Sequence, residues 1–152
     1  KVIARSAKTA ISQLISRGAS KIIVLIDLED NPCAVEFSEC LRSTLQHMYA
    51  QVHTVVVAKN RAIENWLIAD ISALQKLNGR FTVVPELVNA VSVRADEHQH
   101  AARLLNRCAI RQSYHKGSDP QKITANIDLS AAALKSRSLR KFLREAGDSR
   151  FI

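Results

Sequence analysis

The chain alternates helical and extended hydrophobic patterns along its first half and is helical thereafter. Residues 2–17 carry Ile3, Ala7, Ile11, Leu14 and Ile15 at one-faced spacing, which predicts an amphipathic helix that Gly18 ends. Residues 21–27, Lys-Ile-Ile-Val-Leu-Ile-Asp, are a continuous apolar run of strand length, the pattern of a parallel strand buried on both faces. Residues 34–48 place Val35, Phe37, Cys40, Leu41, Leu45 and Met48 mostly at helical spacing. Residues 52–58, Val-His-Thr-Val-Val-Val-Ala, predict a second buried strand. Helix, strand, helix, strand in this order implies neighbouring parallel strands joined by a right-handed crossover.

Beyond the second strand, Ile63, Trp66, Leu67 and Ile71 form an apolar stripe, so 62–68 reads as a helix with Trp66 as a core anchor. Asp70 is placed to cap a following helix over 71–77. Phe81-Thr-Val-Val84 predicts a short strand stopped by Pro85, and 96–111 predicts a helix with Arg103, Arg107 and Arg111 in one i,i+4 row. Residues 112–122 read as loop. Helices over 129–135 and 138–146 follow, the second ended by Gly147. The expected fold is therefore α/β: a parallel-sheet core flanked by helices over residues 1–95, and a helical extension over 96–152, in one domain.

Charge sharpens this division. Residues 1–100 hold 11 Lys/Arg against 10 Asp/Glu, whereas residues 101–152 hold 11 against 4, so nearly all of the net +8 belongs to the last third. Such asymmetry fits an anionic partner, most often nucleic acid, against the alternative of a solvated helical surface. No apolar run approaches the roughly 20 residues that span a bilayer. The start, Lys1-Val-Ile-Ala-Arg5, is not a secretory signal. Cys33, Cys40 and Cys108 are odd in number and lack a Cys-x-x-Cys pair, so they are expected as reduced thiols in a cytoplasmic protein. His98 and His100, two apart, fall on different faces of a helix and make a poor metal pair.

The chemistry concentrates where the first strand ends. Asp27, Glu29 and Asp30 lie within four residues at the carboxyl end of a strand, where open α/β sheets place their ligands. Clustered carboxylates suit a hard cation, Mg²⁺ or Mn²⁺. Asp27 and Glu29 are the leading metal ligands, with Glu64 as a third carboxylate. Asp30 or Asn31 has the alternative role of capping the next helix, with Pro32 at its first position. For Glu64 the alternative is an ordinary helix salt bridge. Lys59 and Arg61 flank the same end and are candidates to hold a phosphate.

The Asp27-Leu-Glu29-Asp30 turn, the run Ile63-Glu-Asn-Trp-Leu-Ile-Ala-Asp70, the Tyr114-His-Lys116 loop and the ending Ser136-Arg-Ser-Leu-Arg-Lys-Phe-Leu143 together resemble the small bacterial TOPRIM-like domains of the topoisomerase–primase clan. Such domains are often encoded beside ATPases in anti-phage defence loci. The resemblance implies a metal-dependent nuclease-type domain in which Asp27 and Glu29 stand for an Asp-x-Asp pair. Glu64 matches the family's motif as well, Lys116 joins Lys59 and Arg61 as a phosphate-contacting or charge-stabilising catalytic candidate, and the resemblance implies an ATPase as a possible protein partner. Two departures stand out: Glu29 is longer than the family's Asp, and a Glu-bearing strand expected before the first helix is not in this sequence. The alternative is a non-catalytic module binding nucleic acid or the ATPase, with the Arg103, Arg107 and Arg111 row as its contact.

Overall fold

The computed structural model describes residues 7–27, 33–59 and 62–152. Helix α1 (Lys8–Ser16) leads into strand β1 (Lys21–Asp27), helix α2 (Ala34–Met48) and strand β2 (His53–Lys59). The two strands pair in parallel, from Lys21 opposite His53 to Asp27 opposite Lys59, and form a two-stranded sheet. Short helices α3 (Glu64–Ile68) and α4 (Ile71–Gln75) follow, then α5 (Pro85–Val93), a 3₁₀ turn (Ala95–Glu97) and α6 (Ala101–Cys108). Helices α7 (Asp119–Thr124), α8 (Leu129–Lys135) and α9 (Arg137–Glu145) precede a last 3₁₀ turn (Ser149–Phe151). No helix among the described residues is long and apolar enough to cross a membrane.

Local chemistry accounts for most boundaries. Gly18 and Gly147 take the left-handed conformation, φ 84° and 87°, that ends a helix without a Cβ clash. Asp70 accepts from the Ser72 amide at 2.9 Å, and Asp128 accepts from the Ser130 and Ala131 amides, each closing the first turn of its helix. Helix α2 starts at Ala34 with Cys33 at its cap position, later than a cap at Asp30 or Asn31 requires.

The core has two parts. Ile22, Val52 and Val56 meet Ile11 of α1 and Leu41, Leu45 and Tyr49 at α2. The larger cluster runs from Trp66 through Leu87, Leu105 and Ile123 to Leu139 and Leu143, with Leu25 of β1 packed against it. Period-two alternation along β1 thus sends Ile22, Val24 and Ile26 to one core and Leu25 to the other.

Several sequence expectations are corrected. Ile23 to Ile26 are only half-buried, and among the described residues β1 pairs with β2 alone. Residues 81–84 make no strand. A single antiparallel bridge, Phe81 to Ala109, is all that pairs there. Pro85 starts a helix instead of merely stopping a strand, since a first-turn position needs no amide hydrogen. The helix expected over 96–111 divides into the 3₁₀ turn and α6, with Ala109 extended.

Candidate functional site

The parallel register brings the carboxyl ends of β1 and β2 side by side, with Asp27 opposite Lys59. The alternation that turns Leu25 toward the larger core turns both side chains the same way. Lys59 is only 4% exposed, an unusual state for an ammonium group, and two features compensate it. Its Nζ forms an ion pair with the Asp27 carboxylate and lies 5.7 Å from the centre of the Trp66 ring, within cation–π range. Asp27 is the more open partner, its side chain 42% exposed. Glu29, Asp30 and Arg61 lie outside the described residues.

A second polar group forms around Glu64, the first residue of α3, which is only 3% exposed. Lys116 Nζ stands 3.7 Å from Glu64 Oε1, its own side chain 77% exposed. This arrangement differs from an ordinary helix-surface salt bridge, because the carboxylate is in the interior and its cation comes from a loop 52 residues away in sequence. The Tyr114 hydroxyl is buried nearby and has no hydrogen-bond partner among the described residues. Burial, then the charges of Glu64 and Asp119, push the phenol pKa well up, so Tyr114 stays protonated and able to donate.

The loop carrying Tyr114 and Lys116 is held by Arg80. Its guanidinium donates to the carbonyls of Ile110 (3.3 Å), Gln112 (2.6 Å) and Ser113 (2.8 Å) and forms a two-point ion pair with Asp119. Asp119 also accepts from the His115 amide at 2.8 Å. Burial pushes the Asp119 carboxyl up. The hydrogen bonds from Arg80 and His115, with the charges of Arg80 and Lys122, outweigh that and hold it below the usual range.

The other polar residues of the Glu64–Asp70 run are committed to structure. Asn65 donates to the carbonyls of Ala95 (2.6 Å) and His98 (2.8 Å) and accepts from the Ala62 amide (3.1 Å). Asp70 caps α4 and also accepts from the Asp128 amide at 2.8 Å. Trp66 is buried and donates from Nε1 to Ser138 Oγ at 2.7 Å. Ser138 in turn belongs to a network that sequence reading missed. Buried Asp96 accepts from Ser136 Oγ (2.7 Å), Ser138 Oγ (2.9 Å) and the Ser138 amide (3.0 Å), which fixes the start of α9. The available signal was Ser136 two residues before Ser138 at a helix start, but its acidic acceptor lies 40 residues earlier.

The expected arginine row does not form. Arg111 lies past the end of α6 in a left-handed conformation, φ 64°, and Arg107 is ion-paired with Glu86. Only Arg103 remains of the row as an exposed helical cation without a carboxylate partner among the described residues. A cleft of about 580 Å³ opens instead beside α9, with Cys33, Ala58, Arg94, Asp96, Arg137 and Lys141 among its lining. Ala58 and Cys33 put one end of it at the carboxyl side of the sheet, next to the Asp27–Lys59 rim.

Among the described residues no three His, Cys, Asp or Glu side chains gather closely enough to hold a metal ion. Asp27 and Glu64 each face a lysine instead. Two separate carboxylates do not make a complete site for a hard cation, which takes about six oxygen ligands, some from water. The three thiols are free: Cys40 exposed, Cys33 partly so and Cys108 buried.

No curated protein and no solved structure matches this chain. A protein family known as a domain of unknown function, DUF4276, matches residues 2–145, nearly the whole length. The chain belongs to the DUF4276 family.

Proposed function

We propose that this domain is a TOPRIM-like, metal-dependent nuclease-type domain that acts on the phosphodiester backbone of nucleic acid. The observation that carries the reading is the pairing of Asp27 with buried Lys59 at the carboxyl ends of two parallel strands. Asp27 is the open partner of that pair, its side chain 42% exposed, so its carboxylate keeps oxygen lone pairs for a divalent cation in competition with Lys59. Asp27, Glu29 and Glu64 are the residues to hold Mg²⁺ or Mn²⁺, which when bound supplies an activated water and charge stabilisation at the leaving oxygen. Lys59 and Lys116 provide fixed positive charge at either side, and Tyr114 a protonated donor. The resemblance to TOPRIM-like domains adds a cytoplasmic role in anti-phage defence with an ATPase partner.

The test has two readouts. Mn²⁺ titration followed by calorimetry reports binding, and cleavage of plasmid DNA and of RNA reports chemistry. Asp27→Asn and Glu64→Gln should each weaken Mn²⁺ binding and abolish cleavage. Cleavage that survives Asp27→Ala unchanged removes the proposal.

A second reading, a non-catalytic module that binds nucleic acid or an ATPase, is favoured by one specific feature. Lys59 already neutralises Asp27, so that carboxylate has its counter-charge without a metal. Nucleic-acid binding in EDTA with no Mn²⁺ uptake selects this reading over the first.

A further inference from the structure

Helix α9 carries a basic face that the proposed chemistry does not use. At about 100° per residue, Arg137, Arg140, Lys141 and Arg144 fall within an arc of about 100°. All four are exposed, while Leu139 and Leu143 on the inner side are buried. Arg137 and Arg140 have no carboxylate within 4.0 Å among the described residues, and Arg144 meets only its neighbour Glu145, at 3.5 Å. Lys141 reaches the Val56 carbonyl at 3.3 Å, which ties the helix to β2.

Each described acid that lines the cleft beside this face already has a partner. Glu39 is paired with Arg42 and Glu97 with Arg94, while Asp96 is engaged by two serine hydroxyls and an amide. Arg137 remains in its wall without a carboxylate partner among the described residues, and Lys141, which donates to the Val56 carbonyl and lies near Glu39, adds a second cation. They lie one turn apart, about 6 Å along the axis, and Arg144 is about 10.5 Å from Arg137. A cleft of about 580 Å³ has room for one nucleotide-sized unit and far too little for a duplex.

The face is also held rigidly relative to the rim. Ser138 accepts from Trp66, and the Trp66 ring stacks on Lys59, so one buried side chain connects the start of α9 to the Asp27–Lys59 pair. A strand laid along α9 is led toward the carboxyl ends of β1 and β2.

We infer that α9 is the track for single-stranded nucleic acid, its phosphates meeting Arg137, Arg140, Lys141 and Arg144 and one nucleotide entering the adjoining cleft. This rests on the nucleic-acid reading of the rim but not on cleavage. It moves the expected contact from Arg103, Arg107 and Arg111 to a different helix. A positively charged groove that tracks the backbone is one of the two devices, beside aromatic stacking, that hold a single strand without sequence preference.

The test is fluorescence anisotropy with labelled single-stranded DNA and RNA in EDTA, over a range of salt, using the full chain. Arg137→Gln/Arg140→Gln/Arg144→Gln should weaken binding by about 10-fold or more and reduce the salt slope by about 2, at about 0.7 per lost phosphate contact. The Arg103→Gln/Arg107→Gln variant should stay within about 2-fold of the parent. Circular dichroism melting verifies that both variants fold. Parental affinity in the triple variant, a larger loss in the Arg103/Arg107 variant, tighter binding to duplex, or no binding to either nucleic acid overturns the inference. Binding without Mn²⁺-dependent cleavage defeats the nuclease reading and leaves this one standing. Cleavage with parental affinity in the triple variant does the reverse.

Discussion

Replacing Arg80 by Met should destabilise the fold strongly, even though the arginine side chain reaches the surface. Arg80 spends its guanidinium on three loop carbonyls and on Asp119, a carboxylate that is only 1% exposed. Removing one partner of a buried ion pair costs about 3–5 kcal/mol, mostly the penalty of the uncompensated charge left behind. Lys122, 3.7 Å from Asp119 and half exposed, recovers part of this and sets the expectation near 3 kcal/mol. For a domain of this size that lowers Tm by about 6–12 °C.

The pH dependence has a definite sign. In the parent, the Asp119 carboxyl is held below its ordinary value, so its contribution is present above the unfolded pKa and lost as pH falls through the lower folded one. Without Arg80 the upward push of burial is opposed by less, so the variant's deficit is largest at neutral pH and shrinks on acidification. Urea unfolding at pH 7 and at pH 5 to 4 measures both effects. The double variant Arg80→Met/Asp119→Asn should regain part of the loss, because no charge is then stranded. A deficit below about 1 kcal/mol at pH 7, or one that grows with acid, would refute this account of the loop.

Three further outcomes follow from other contacts. Asp27→Ala strands the Lys59 ammonium in the core and should destabilise by about 1–2 kcal/mol in urea melts, the low end because Asp27 is partly open to water, with Lys59→Met in the same chain restoring most of it. Trp66 is the single tryptophan and is buried, so native emission should be blue-shifted and poorly quenched by acrylamide; Trp66→Phe should cost about 1–3 kcal/mol through the lost bond to Ser138. Burial raises the Cys108 thiol pKa, so a disulfide reagent should label Cys40 fast in the native protein and Cys108 only on unfolding; fast native labelling of Cys108 contradicts its placement.

The candidate site was partly legible in the sequence. Asp27 and Lys59 stood out because each ends an apolar run, and strand ends in parallel sheets meet at one rim. That they pair with each other was not legible, since it depends on a register set by the packing of both strands. Glu64 and Lys116 were both singled out, yet their approach depends on the Arg80–Asp119 clamp. The arginine row failed because α6 stops at Cys108, where Ala109 turns extended to bridge Phe81 and bends the chain away. The basic helix that does line a cleft was expected over 138–146, but its cations entered the reading only within the charge excess of the last third.

Helices α2 and α8, the caps at Asp70 and Asp128 and the stops at Gly18 and Gly147 are consequences of the sequence alone. Each depends on periodicity, on a side chain reaching an amide within three residues, or on one residue's freedom in φ, and these interactions need no distant partner. Tertiary structure decided what those elements enclose: a carboxylate at Asp96 satisfied from 42 residues away, and an ammonium at Lys59 buried between Asp27 and Trp66. Burying a charge is tolerable only when an opposite charge or a set of donors arrives with it, and that arrival depends on the whole chain folding around the site.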